Sequence, residues 1–179
     1  TNAFSVAMIN PVILTNPFFS DGQSIFGLSV KYNTLQRFSV YGQIALNRRS
    51  FSKGLGLNNG MQAGFKYFNM AGIRNLHTQI EYNRVTPYFY AVADSFLSHT
   101  QYQEPLAHPL GANFSEIVGL LHYHFQSFAL NAQYNFFKYG VDDHIEDNFG
   151  QNIYQSLHTS SVPVNESEFL QGNLKHMAW

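Results

Sequence analysis

The sequence contains no cysteine, which excludes a disulfide framework and any thiolate metal site. It is also short of charge. Lys, Arg, Asp and Glu make up 12% of the 179 residues, about half the usual share for a soluble domain. The net charge is −1, and neither sign forms a long run. The clustered cations of a nucleic-acid-binding surface are therefore missing. No apolar run reaches the roughly 18 residues of a transmembrane helix, and mean hydropathy is −0.19. Heptads and alignable internal repeats are absent. No G-x-S-x-G nucleophile elbow occurs. In 53-KGLGLNNG-60 the lysine precedes the glycines and no GK[ST] follows, so this is not a phosphate loop. No signal peptide is visible, and a chain that starts at Thr1 is expected to be processed or part of something longer.

What is abundant is aromatic side chains, 17 Phe and 11 Tyr against one Trp, and they fall in a period of two. In 23-QSIFGLSVKYN-33, Phe26, Leu28, Val30 and Tyr32 share one face, and Gly27, Ser29 and Lys31 the other. The same alternation runs through 36–48 (Phe38, Val40, Ile44 and Leu46 against Arg37, Ser39, Tyr41 and Gln43), 60–69, 75–84 and 125–140. From Ile117 onward, Ile117, Gly119, Leu121, Tyr123 and Phe125 oppose Glu116, Val118, Leu120, His122 and His124. Period two is the strand signature. A last segment near 168–179 reads as a strand of ambiguous phase.

These runs are about ten residues long, the length of a tilted membrane-crossing strand, whereas soluble strands centre on about 5–6. Several carry Tyr or Phe at one end of the apolar face, as an aromatic girdle does. The opposite face is polar but mostly uncharged, which suits a hydrated interior. Links 33–36, 69–75 and 125–128 are short, while 47–60, 84–113 and 139–169 are long. Short turns alternating with long loops is the pattern of an outer-membrane barrel. The expected fold is therefore all-β, an antiparallel transmembrane β-barrel, with residues 1–179 as a single barrel region. The alternatives are a small eight-stranded structural or channel barrel, and a soluble β-sandwich that binds a ligand, since an antiparallel soluble sheet also alternates when one face covers a core.

Two stretches carry a family resemblance: 105-PLAHPLGANFSE-116, followed by a strand, and 81-EYNRVTPYFY-90. With them the chain resembles Bacteroidetes outer-membrane proteins, the Wzi-like capsule-assembly barrels and their RemB-like gliding-motility members. The resemblance runs from about Gln79 to Gly150, and HPLG-x-N-x-x-E is its most specific part. It implies a large barrel in the bacterial outer membrane that associates with surface polysaccharide, in capsule assembly and attachment or in gliding. The implied partners are outer-membrane lipid, that polysaccharide, and other outer-membrane proteins of a gliding or capsule complex. Seven or eight strands cannot close so large a barrel, because diameter and strand number are linked. The chain is then expected to be a portion of one.

Several clusters could carry chemistry. In 104-EPLAHPLGANFSE-116, two prolines stiffen a loop and Gly111 permits positive φ. Folded into the lumen, it would present His108, Asn113 and Glu116 to a glycan; the plainer reading is a plug whose polar groups satisfy one another. The segment 86-TPYFYAVADSF-96 offers Tyr88 and Tyr90 as a sugar-stacking platform with amides such as Asn83, Gln101 and Gln103 nearby, or simply interface aromatics. His122 and His124 share a strand face with Glu116, and Glu81 or His77 on another strand could complete a metal site. A lumen lined by such groups explains them without a metal, and neither metal nor cofactor is expected. The acidic 142-DDHIEDN-148 lacks the glycine and spacing of a calcium loop and reads as a solvated loop. The neighbouring Ser98 and His99, and His158 with Ser160 and Ser161, lack any supporting motif, so the chain is expected to be no enzyme.

Overall fold

A computed structural model describes residues 3–5, 25–34, 37–47, 58–91, 100–101, 104–105, 108–144, 147–155 and 169–179. The described residues are all-β apart from one short 3₁₀ turn at Met70–Gly72. Its strands are β1 (Ala3–Ser5), β2 (Ile25–Thr34), β3 (Phe38–Asn47), β4 (Asn59–Phe68), β5 (Leu76–Val85), β6 (Thr100–Gln101), β7 (Glu104–Pro105), β8 (Phe114–Phe125), β9 (Phe128–Val141) and β10 (Asn173–Ala178). One antiparallel sheet runs β1-β2-β3-β4-β5-β8-β9-β10, and β6 and β7 form a separate two-stranded ribbon. The ribbon lies within the 84–113 stretch that the sequence reads as a loop. Its short, irregular strands carry no alternation to betray it. The sheet is open: β1 and β10 each pair on one side only.

The expected runs land on the strands within a few residues, and β10 resolves the ambiguous last segment. The strand that carries the loop motif, β8, begins at Phe114 rather than Ile117. Phe114 and Glu116 continue the polar-face parity, so the alternation hides the start of the strand inside the loop motif.

Directly opposed residues share a face, so the register sorts every side chain. One face carries Phe26, Leu28 and Val30 from β2, Val40 and Ile44 from β3, Met61 and Phe65 from β4, Ile80 and Tyr82 from β5, Ile117 and Leu121 from β8, and Leu130, Tyr134 and Phe136 from β9. No layer covers it among the described residues: Leu28, Ile44, Ile80, Ile117 and Tyr134 are 42–55% exposed. Aromatics gather at its short-turn end, where Phe38 stacks on Phe65 at 5.5 Å and meets Tyr67 edge-on at 6.1 Å. The other face carries Ser39, Tyr41, Gln43, Gln62, Gln79, Glu81, Asn83, Glu116, Asn131, Gln133 and Asn135.

The two ends of the sheet differ as the link lengths predict. At one end, Gln126 takes φ 49° in the two-residue turn between β8 and β9. Asn69 and Asn75 adopt φ 52° and 61° between β4 and β5, and Asn69 Oδ1 accepts the Asn75 N–H at 2.8 Å. Asparagine tolerates this left-handed region better than other side chains. At the other end, segments 86–91, 108–113, 147–155 and 169–172 pack together. The buried cluster of Val85, Phe89, Ala112 and Phe114 sits beneath them.

Candidate functional site

On the polar face, the glycine of β4 decides the geometry. Tyr41 of β3 stands directly opposite Gly64. A Cβ on Gly64 would meet the Tyr41 ring and hydroxyl at 2.6 Å. The bare glycine lets the tyrosine lie across β4 and reach β5. There its hydroxyl donates to Glu81 Oε2 at 2.5 Å. Glu81 also accepts from Gln62 Nε2 at 2.8 Å, Asn83 Nδ2 at 3.0 Å and Gln79 Nε2 at 3.3 Å. Four neutral donors thus surround one carboxylate, which is how a half-buried charge is held without an ion pair.

The network continues toward the loop end. Asn83 Nδ2 also reaches Glu116 Oε2 at 3.2 Å, and Glu116 Oε2 meets His108 Nε2 at 3.1 Å. The His108 ring stacks on Phe114, 4.4 Å between centroids. Its Nδ1 accepts the Leu110 N–H at 3.2 Å, so the neutral ring carries its proton on Nε2 and donates it to Glu116. Burial lowers the His108 pKa below the ordinary histidine value, with the Glu116 carboxylate pulling the other way. A relay of contacts therefore ties the 108–113 loop to the wall, from His108 through Glu116 and Asn83 to Glu81 and Tyr41.

The structure brings together four of the residues singled out in the sequence, His108, Glu116, Asn83 and Glu81. The others have different surroundings. Asn113 is fully buried; its amide donates to Gln171 O at 2.8 Å and its oxygen accepts the Gln171 N–H at 3.1 Å. It clamps two loops and faces no open space. Tyr88, expected as a stacking surface, is 1% exposed and donates its hydroxyl to Asn148 O at 2.5 Å. A ring with no free face cannot stack on a sugar, so this expectation is corrected. Tyr90 is half-buried, edge-on to Phe89 at 4.8 Å, and burial raises its pKa. His122 bonds Asn131 Oδ1 at 2.7 Å and stands opposite His77, with His124 exposed further along the same face. Among the described residues no three His, Asp or Glu side chains converge on a metal position. Ser98, His99, His158, Ser160, Ser161 and Gln103 lie outside the described residues.

Sequence reasoning noticed Glu81 only as a possible third metal ligand and overlooked Tyr41, Gln62 and Gln79 as a group. A signal was present: Tyr41 is an aromatic residue at a polar-parity position, and the strand facing it offers a glycine. The described cluster holds no nucleophile beside a base. Its carboxylates accept bonds from amides, a phenol and a histidine.

No family model, no curated protein and no solved structure matches the chain.

Proposed function

We propose that the chain is a wall segment of an outer-membrane β-barrel with no catalytic role. Its apolar face lies in lipid and its polar face lines the interior. The loop end associates with surface polysaccharide, in capsule assembly and attachment or in gliding motility. The observation that carries the membrane reading is the uncovered apolar face. Exposed apolar patches beyond a few hundred Å² are rare on soluble monomers and mark lipid or partner contact, and here one face of seven successive strands is exposed and apolar. A soluble β-sandwich would cover that face with a second sheet. The aromatics at the short-turn end match an interface girdle, and strands of 10–14 residues from β2 to β9, the short β6–β7 ribbon apart, have spanning length.

The polysaccharide reading is supported by the likeness to capsule and gliding barrels noted above, and by the chemistry of the polar face. Exposed amides of Gln43, Asn131 and Gln133 match sugar hydroxyls in donor and acceptor capacity. The test begins with the intact mass of the protein in purified outer membranes. A membrane species well above 20.4 kDa means that the sheet continues into a larger barrel. Recovery in the aqueous fraction without detergent refutes the barrel. Detergent-purified protein should then retain isolated capsular polysaccharide on a sensor surface; no retention above an unrelated barrel refutes the glycan role.

A further inference from the structure

We infer a binding site for a phosphate-bearing membrane lipid on the apolar face, with Arg84 and Lys138 holding its headgroup. The inference rests on the lipid-facing assignment of that face. Across β2–β5 and β8–β10, the apolar parity carries only two full charges, Arg84 and Lys138. They fall in a single register row. Arg84 of β5 opposes Ser115 of β8, and Ser115 opposes Lys138 of β9; His176 of β10 extends the row. Two strand spacings put the cationic residues about 10 Å apart at their Cα atoms. Both long side chains can therefore reach one phosphate above Ser115, whose hydroxyl adds a donor.

Among the described residues no carboxylate pairs with either cation, and Arg84 Nε has no hydrogen-bond partner. Their contacts are with aromatic rings: Arg84 lies 4.0 Å from the Phe169 ring centroid and Lys138 5.8 Å from that of Phe136. Each ring meets the charged head on one side, the Arg84 guanidinium carbon and the Lys138 ammonium nitrogen, and a neutral ring leaves the charge itself uncompensated for an anion. Arg84 is one residue from the loop end of its strand, where a lipid-facing cation is far less costly than at the midplane.

Below this row, the same three strands form an apolar depression bordered by Thr78, Ile80, Leu121, Ala132 and Tyr134. Its floor is Gly119, opposite both Ile80 and Tyr134. From Arg84 to Ile80 the chain rises about 13 Å. A headgroup on the cations would therefore send an acyl chain down β5–β8–β9 and over the hollow at Gly119. Charge above and a fitting groove below, on the same strands, single out a lipid and not free phosphate.

The test uses the full-length protein in phosphatidylcholine nanodiscs and native mass spectrometry. The probes are monophosphoryl lipid A, its dephosphorylated form, and inorganic phosphate. The phosphorylated lipid should bind preferentially. Arg84→Gln and Lys138→Gln should each weaken it about fivefold, and the double variant about 25-fold, from roughly 1 kcal/mol per cation near a membrane surface. Lys66→Gln, which removes a cation from the polar face, should change nothing. Equal retention of both lipid forms, or unchanged binding in the double variant of a protein that inserts normally, overturns the site and leaves the barrel reading standing. Binding of inorganic phosphate alone, with no lipid preference, also overturns it. Failure of the parent protein to enter the nanodisc overturns both. Lys138→Glu, which keeps a long side chain but reverses the charge, should abolish binding even if the Arg84 variants fold poorly.

Discussion

Ile80→Arg separates a lipid-facing wall from a water-facing one by the size of a single free-energy change. Ile80 sits on β5, four residues from Arg84, on the uncovered face, and is 42% exposed. Four residues span about 13 Å of strand. With a strand tilt of about 40°, that is a depth of about 10 Å in an apolar band about 25 Å tall. On the barrel reading proposed above, the position lies close to the bilayer midplane, where an arginine on the lipid face costs about 2–4 kcal/mol. In water the same replacement at a half-exposed site would change stability by about 0.5 kcal/mol or less. The control is Gln133→Arg, an exposed position on the opposite face of β9, where the side chain would enter a hydrated interior. Urea titration of the protein folded into phosphatidylcholine vesicles should show Ile80→Arg destabilised by several times the control value. Equal effects within about 0.5 kcal/mol would refute the claim that this face meets hydrocarbon.

Three further outcomes follow from the loop end. Asn113→Ala removes the paired bonds to Gln171 and places alanine at φ 57°, which should cost about 2–4 kcal/mol in urea titration. Asn113→Gly should recover only the backbone part, about 1 kcal/mol. Gly150→Ala drives a Cβ into the Tyr88 backbone nitrogen at φ 77°, and should destabilise the protein by more than Tyr88→Phe, which removes the hydroxyl that donates to Asn148 O. For His108 the sign is set by burial, which depresses its folded-state pKa against the opposing Glu116 and Glu81 carboxylates. The unfolded chain takes up the proton near pH 6.5 and the folded one only at lower pH. This contribution to stability is therefore complete above about 6.5 and is lost as pH falls toward the folded value. Hydrogen exchange of residues 108–113 should accelerate from pH 7.5 to 5.5 after correction for intrinsic rates, and His108→Gln should remove that acceleration.

The long strands were legible because one physical signal, alternation, repeats in β2–β5, β8 and β9 and the register preserves it. Val40, Phe65, Ile80, Gly119 and Tyr134 fall in one row, though each was assigned to the apolar face from its own run alone. The polar network was legible in part. His108 and Glu116 stand in one motif, but their bond to each other passes through a fold of the loop that spacing does not reveal. Tyr41 and Glu81 are 40 residues apart, and only the β3–β4–β5 register with a glycine between them brings the two together. Tyr88 was misread because composition cannot tell a ring that faces outward from one enclosed by 147–155. The two cations of the apolar face were hidden for a similar reason: Arg84 and Lys138 are 54 positions apart by their own numbering, and they become neighbours only across β8.

In the main sheet every strand pairs with the strands that precede and follow it among its members, and no connection crosses over. Each new strand therefore finds its template already in place on the one before, so the order of synthesis can also serve as the order of zippering. The largest gap to close is the one between Val141 and Asn173, which pair directly, followed by that between Val85 and Phe114, and these closures are where the entropic cost of assembly concentrates. A sheet of this kind can gain or lose a hairpin at its edge without altering any existing pair.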